Sequence, residues 1–374
     1  MISHTEGGRT TWGGSLMRDD HDLSLSALGA GPTGDSWPVL GGDDPLPPAG
    51  LLVLLAYGAA LVAEPQPVRE LDPWRAVAVQ VVACNGRLLS FQACSGDRSL
   101  PAPLRPTGLR PSALTAEVRR YDDRLSQARQ RYRRTCAAEA LQLLADLPPT
   151  PLDKARQLTE GGGSAESAAG LGARVRRRLA VLEPETSPED RASALELAAR
   201  ALGAKSGAAA AALADRLATA VREINAVTRR RRGQAVLAAA YLQVIRAAGR
   251  PTADGWLERR LISVLHGGAT LNADLLDAAE RLRVRYEERA EQEYLLDRVQ
   301  GHFDRSGVTL EVDRRDARRG VLLSGRSGRV LLAAGEVTGG PPGDGPTSHE
   351  FRRAFLMLRL CLGRRPVWNP GAFP

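Results

Sequence analysis

The chain has 374 residues, a formal net charge of +8 and 43% hydrophobic residues, which fits a globular protein long enough for two or three domains. Aromatic residues make up only 4%, so the cores must be built from Leu, Val and Ala. Of the 51 basic residues only Lys154 and Lys205 are lysines, which indicates a GC-rich genome and makes the basic charge weaker evidence for nucleic-acid binding.

The first 46 residues are rich in Gly, Ser, Asp and Pro without any period, and we expect residues 1–46 to form a flexible tail. They lack the basic and apolar regions of a signal peptide, which predicts a cytoplasmic protein, or a nuclear one if the genome is that of a DNA virus. The longest apolar run, Leu51–Ala63, is shorter than the roughly 20 residues of a membrane span. It predicts a buried helix or strand and no membrane span.

Residues 47–104 are predicted to form a small α/β module. Asn85-Gly86 stands between two runs rich in β-forming residues and predicts a tight β-hairpin. Such a hairpin would place Cys94 opposite Val77, which argues against a disulfide between Cys84 and Cys94. The four cysteines form no CxxC pair, so we expect reduced thiols and no zinc site. Proline-rich residues 105–112 read as a linker.

Helical patterns dominate residues 113–306, the predicted helical domain. In its first helix, apolar and aromatic residues recur at alternating steps of four and three, which is typical of a seam that packs against another helix. A second helix should begin at Ser187 and Pro188, and a long one should begin at Asn272. The candidate seam consists of Leu114, Val118, Tyr121, Leu125 and Tyr132.

Four arginines in a row, residues 229–232, follow an apolar stripe that would place Arg231 inside it. Because a buried unpaired arginine is costly, the helix is predicted to stop there, with Gly233 in the left-handed position after its end. The arginines would then complement the helix dipole, and a new helix would follow as the second arm of an antiparallel hairpin.

Residues 307–374 are predicted to form three strands with glycine-containing turns, followed by a helix that begins near Ser348. The predicted fold class is therefore mainly α with minor β. It combines a small N-terminal β-hairpin, a central helical bundle with coiled-coil-like hairpins, and a C-terminal β-meander plus helix.

The sequence offers no catalytic, cofactor-binding or metal-binding candidate, because no nucleophile, phosphate-loop or zinc motif occurs in the context that it requires. Three basic clusters remain as candidate contacts with nucleic acid or a protein partner. They are Arg131, Arg133 and Arg134; Arg174, Arg176, Arg177 and Arg178; and Arg229, Arg230, Arg231 and Arg232.

Two functions follow from these features. The heptad seam favours a non-enzymatic interaction or scaffold protein that has a protein partner or associates with itself. The positive excess of residues 113–250 favours the alternative, a nucleic-acid-binding accessory protein that uses its basic helical clusters.

Overall fold

The computed structural model describes residues 40, 43–66, 71–97, 100–145, 168–204, 206–249, 255–313, 321–333, 336–342, 347–362 and 366–369. Within these ranges it confirms the mainly α fold with a minor β portion. The helices are α1 (Leu51–Ala63), α2 (Pro73–Ser95), α3 (Pro111–Ala145), α4 (Ala168–Leu179), α5 (Pro188–Leu202), α6 (Gly207–Ala247), α7 (Gly255–Leu265), α8 (Ala273–Arg305) and α9 (His349–Leu362). The strands are β1 (Glu311–Asp313), β2 (Val321–Gly325), β3 (Gly328–Ala333), β4 (Glu336–Gly340) and β5 (Val367–Trp368).

The predicted N-terminal β-hairpin is wrong, because Asn85 and Gly86 lie inside helix α2. The helix is defined at both ends by its own sequence. The Asp72 carboxylate caps it by accepting hydrogen bonds from two backbone N–H groups of the first turn, and Pro73 occupies the first helical position. Gly96 ends the helix in the left-handed conformation with φ of 65°. These terminal signals outweigh the turn preference of Asn-Gly.

Asn85 and Gly86 serve helix packing instead of a turn. The buried Asn85 amide donates to the Leu104 carbonyl oxygen at 3.1 Å, and its oxygen accepts from the Leu104 N–H at 2.7 Å. The same amide nitrogen donates to Gln243 of α6 at 3.0 Å. A Cβ atom at Gly86 would lie 3.0 Å from the Val236 carbonyl oxygen, so the glycine lets α2 and α6 approach closely.

The predicted break after the arginine run is also wrong. Helix α6 is one continuous helix of 41 residues, and residues 229–232 and Gly233 lie inside it. The hairpin prediction assumed that an arginine inside the apolar stripe would be buried without a partner. In the structure, carboxylates pair with Arg229, Arg231 and Arg232. A Cβ atom at Gly233 would meet nothing within 4 Å, so this glycine faces an open side of the helix.

Helix α6 passes through two hydrophobic cores. Its first half packs with α4 and α5 in a small core rich in alanine. Its second half packs with α1, α2, α7 and α8 in a large core that also contains the start of α3, the sheet and α9. We call the two bodies the small lobe and the main lobe. They share one continuous helix, so α6 fixes the distance between them.

Parts of the predicted tail and linker belong to the main lobe. Leu40 and Leu46 are buried in its core, whereas residues 1–39 and 41–42 lie outside the described residues. The Leu46 N–H donates to the Leu109 carbonyl oxygen at 2.9 Å, and the Gly108 N–H donates to the Leu46 carbonyl oxygen at 2.8 Å. The segment before α3 therefore lies against the segment before α1.

The predicted C-terminal meander plus helix is confirmed, with two more strands than expected. Strands β1 to β4 are antiparallel neighbours, and β5 pairs with β4 in parallel. The rings of Phe351 and Phe355 lie on Gly328 and Gly339, where an added Cβ would come within 2.4 Å of them. Glycine at these two strand positions thus lets α9 pack closely on the sheet.

The predicted start of α8 is confirmed, since the Asn272 side chain accepts from a backbone N–H of the first turn. Its polar middle is joined by charge pairs. Buried Arg283 bonds to Glu280 and Glu287, and Tyr241 of α6 donates to Glu280 at 3.0 Å. Burial acts to lower the pKa of Arg283, but the two glutamates outweigh burial and raise it, so the guanidinium stays charged.

Candidate functional site: arginine clusters at the junction of two lobes

The central arginine run meets the loop between α4 and α5. Glu183 and Glu185 of this loop have side chains that are only 8% exposed. The Arg229 Nε atom lies 3.1 Å from Glu183 Oε1. The Arg232 Nη1 atom lies 3.5 Å from Glu183 Oε2 and 3.7 Å from Glu185 Oε2. Helix α6 therefore supplies two cations to two nearly buried carboxylates.

Helix α3 supplies two more cations from the other side. The Arg129 Nε atom donates to Glu185 Oε1 at 2.8 Å, and Arg133 Nη2 lies 3.5 Å from Glu183 Oε2. Buried carboxylates need such partners, because removal of each ion from water costs several kcal/mol. We call this set the interlobe clamp. It consists of Glu183, Glu185, Arg129, Arg133, Arg229 and Arg232.

Hydrogen bonds to uncharged groups fix the loop that carries the two glutamates. The Asn225 side chain of α6 accepts from the Glu183 N–H and donates to the Val181 carbonyl oxygen, both at 2.9 Å. The Thr186 hydroxyl donates to the Glu183 carbonyl oxygen at 2.7 Å. Ser187 then caps α5, as predicted, by accepting from the Asp190 N–H at 3.2 Å. The backbone of the loop is thus fixed by contacts that do not involve the carboxylates.

The remaining members of the central run differ in their surroundings. Arg231 Nη1 lies 3.0 Å from Asp190 Oδ2 at the start of α5, and its side chain is 51% exposed. Arg230 is exposed on the opposite side of the helix. Three of the four arginines therefore bind carboxylates of the same chain, which answers why the run is tolerated in the middle of a helix.

The second cluster lies in α4, which carries four arginines and no acidic residue. Arg176, Arg177 and Arg178 are exposed in its last turn, and Arg174 is half-buried. The Arg176 Nε atom donates to the Gly172 carbonyl oxygen at 3.2 Å. Within the ranges given above, no carboxylate lies within ion-pair distance of the three exposed guanidinium groups.

The third cluster, on α3, divides between two environments. Arg133 belongs to the interlobe clamp, although its side chain is still 51% exposed. Arg131 and Arg134 are exposed, and in the described part of the chain no carboxylate pairs with either of them. Helix α3 contacts both α4 and α5, so the second and third clusters lie on neighbouring helices.

The seam of α3 faces the main lobe of the same chain. Leu114 and Val118 are buried in the large core, and half-buried Tyr121 packs against it. Leu125 is buried with Leu88 and Phe91 of α2 in a separate small cluster. Tyr132 packs against that cluster, with its ring 5.7 Å from Phe91 in an edge-to-face arrangement.

A groove of about 590 Å³ opens between the lobes beside the clamp. Tyr132 and Leu143 of α3 line one side, and the first turns of α5 line another. The end of α7 closes it with Val264 and His266, and Arg231 of α6 lies along its wall. The lining combines apolar and charged side chains, as is usual for binding sites between domains.

Burial keeps the Cys84 thiol and the Tyr132 phenol in their protonated forms. Burial, and to a smaller extent the negative charge of Asp122, raises the pKa of the Cys84 thiol to about 12. Burial, and to a smaller extent the electrostatic effect of Cys136, raises the pKa of Tyr132 to about 12. Both groups are therefore protonated at neutral pH, and Cys84, Cys94 and Cys136 are free thiols.

Two further properties concern the described residues alone. None of their helices is long and apolar enough to cross a membrane. They contain no group of three His, Cys, Asp or Glu side chains that could hold a metal ion. No protein-family model, curated protein or solved structure matches the chain, so its function must be inferred from its own geometry.

Sequence reasoning named the arginines but missed the carboxylates that bind them. One feature of the sequence does indicate a buried polar contact at this site. Asn225 and Thr228 occupy positions of the otherwise apolar α6 stripe, and a polar residue in a stripe marks a buried polar contact. Glu183 and Glu185 carry no comparable signal, because acidic residues in a loop are ordinarily exposed.

Replacement of Leu125 by Asp should lower the melting temperature clearly, since a charge would be buried against Leu88 and Phe91. Because these partners belong to the same chain, the sedimentation coefficient should not change. Gln127→Asp on the exposed side is the matched control and should leave both unchanged. A variant that alters sedimentation but not the melting temperature would show that the seam joins separate copies.

Replacement of Glu183 by Gln should destabilise the protein by about 1–3 kcal/mol, because three arginines lose a nearly buried partner. The control is Glu196→Gln. Its partner Arg200 and Glu196 itself are both 64% exposed, so the loss should stay below about 0.5 kcal/mol. Urea unfolding of both variants measures the difference, and equal effects would mean that the clamp does not stabilise the fold.

Proposed function

We propose that the protein is a nucleic-acid-binding accessory protein without catalytic activity. The observation that supports this is the exposed triad Arg176, Arg177 and Arg178 at the end of α4, with no described carboxylate beside it. Arg131 and Arg134 add exposed charge on the neighbouring helix. Arginines that bind phosphates release counterions, and this release drives association without any sequence-specific contact.

The balance between the three clusters favours α4 over the central run. The central run, which looks strongest in the sequence, has most of its charge engaged by Glu183, Glu185 and Asp190. A role in helix termination could also place cations at the end of α4, but that effect is only about 0.3–1 kcal/mol for each charge. It gives no reason for three exposed arginines without an acidic neighbour.

The triple variant Arg176→Gln, Arg177→Gln, Arg178→Gln should lose most of its affinity for duplex DNA and keep its melting temperature. The triple variant Arg229→Gln, Arg231→Gln, Arg232→Gln should do the reverse, because these arginines bind carboxylates of the same chain. Filter binding at about 50 and 200 mM salt measures the first effect, and thermal unfolding measures the second. Loss of DNA binding only in the second variant would contradict the assignment to α4.

A second candidate function is protein–protein interaction, which the groove between the lobes supports. The groove has a volume of about 590 Å³ and offers both apolar and charged contacts. Leu143, which is 56% exposed, lines it and supplies apolar surface that the described residues leave uncovered. Self-association through the seam has less support, because α2 covers Leu125 within the chain.

If the groove binds a protein, a partner should co-purify from the source cell after nuclease treatment, and Leu143→Asp should abolish its recovery. Leu356→Asp is the matched control, since this leucine is 60% exposed on α9 and does not line the groove. Recovery that disappears with nuclease treatment, or that both variants reduce equally, would count against a protein partner in the groove.

A further inference from the structure

Four exposed arginines lie along the solvent side of α3. Arg120, Arg124, Arg131 and Arg134 are spaced so that, at 3.6 residues per turn, they share one face of the helix. The opposite face buries the seam, for example Leu125, against α2. At 1.5 Å per residue the stripe of four arginines is about 21 Å long.

The charges of this stripe are only partly compensated. Arg120 pairs with Glu117 one turn earlier, and Asp123 is exposed at the edge of the same face. For Arg124 and the two arginines beyond it, no carboxylate of the described residues lies within ion-pair distance. The space between them holds the neutral amides of Gln127 and Gln130. Three guanidinium groups therefore point into solvent along one rigid helix.

We propose that this stripe, together with the α4 triad, contacts the phosphate backbone of double-stranded nucleic acid and does not read bases. This inference rests on the proposed function and adds its site and its partner class. The stripe lies on the exposed side of a single helix and contains no aromatic side chain. Proteins that bind single strands use a basic groove and aromatic rings on which bases stack, and the described residues provide neither on this face.

The geometry also fits a duplex in length. A duplex carries about one negative charge per 1.7 Å of axis, so a stripe of about 21 Å faces phosphates along its whole length. The helix keeps the Cα atoms of these arginines at fixed spacing, so binding costs the rotamer entropy of the arginine side chains but orders no further backbone. Contacts of this kind position the protein on the backbone but carry no sequence information.

The test is the triple variant Arg124→Gln, Arg131→Gln, Arg134→Gln in the full chain. Fluorescence anisotropy with two unrelated duplexes of about 20 base pairs gives the binding constant at several salt concentrations. We expect the slope of log K against log salt to flatten by about 2.7 for three lost phosphate contacts on both duplexes. The melting temperature should equal that of the wild type, because all three side chains are exposed.

The control removes the same number of charges elsewhere. Arg200, Arg216 and Arg222 are exposed on α5 and α6, and their replacement by Gln should leave the slope unchanged. An equal flattening in both variants would mean that only net charge matters and would overturn the assignment to α3. Variants of α3 that bind like the wild type, while the α4 triple variant does not, would overturn the stripe and leave the proposed function standing.

Three other outcomes separate the partner classes. A wild-type protein that binds none of the nucleic acids contradicts the proposed function itself. Tighter binding of a single-stranded oligonucleotide of the same length than of the duplex overturns the choice of duplex. Inorganic polyphosphate that competes as well as the duplex, at equal phosphate concentration, also overturns it, because the stripe would then respond to charge alone.

Discussion

The ion-pair network around Glu183 and Glu185 is the interaction on which the arrangement of the two lobes depends. Two carboxylates that are 92% removed from solvent would be strongly unfavourable alone, and arginines from α3 and α6 compensate for that cost from opposite sides. The network therefore joins α3, α6 and the α4–α5 loop, and neither of the two hydrophobic cores contains all three of these elements. It also allows α6 to continue, because an arginine with a carboxylate partner needs no helix end to escape burial.

The continuity of α6 sets the shape of the molecule around the clamp. At 1.5 Å per residue the helix is about 60 Å long and gives each core one half of its length. The first half uses alanines such as Ala210 and Ala214 to approach α5 closely, and the second half uses larger residues such as Tyr241 and Leu242. The groove lies where the helix passes from one lobe to the other, so residues from both lobes line it.

Features encoded by neighbouring residues were predictable from the sequence. The caps at Ser187 and Asn272 are examples, because each binds a backbone N–H within three residues. The two errors have one cause in common. Asn85-Gly86 and the run at 229–232 carry strong local preferences, but their partners lie far away in the chain. Asn85 bonds to Gln243, and Arg229 bonds to Glu183. A single sequence does not show which distant residue will be adjacent.

The candidate site was predictable to a similar extent. All three basic clusters were identified from the sequence. Which of them presents unpaired charge to solvent depends on ion pairs within the chain, which the sequence does not show. Composition alone gave each cluster the same weight, because codon bias can supply arginine without selection for a ligand. The positions of the acidic residues determine which arginines are paired within the chain. The α4–α5 loop brings two glutamates to the central run, whereas α4 contains no acidic residue. Cationic surface is therefore better judged after intramolecular pairs are removed than from net charge.

The basic segment of α3 divides its arginines between two environments. Arg129 and Arg133 are four residues apart and face the clamp, whereas Arg131 and Arg134 are three apart and face solvent. Within two turns, the helical period places Arg129 and Arg133 beside the glutamates and leaves Arg131 and Arg134 exposed to solvent. A polyanion bound to Arg131 and Arg134 would therefore lie across the helix from the clamp, and Arg129 and Arg133 would remain with their glutamates. Under the proposed function, a phosphate backbone would contact the solvent face of α3 and leave the ion pairs of the clamp in place.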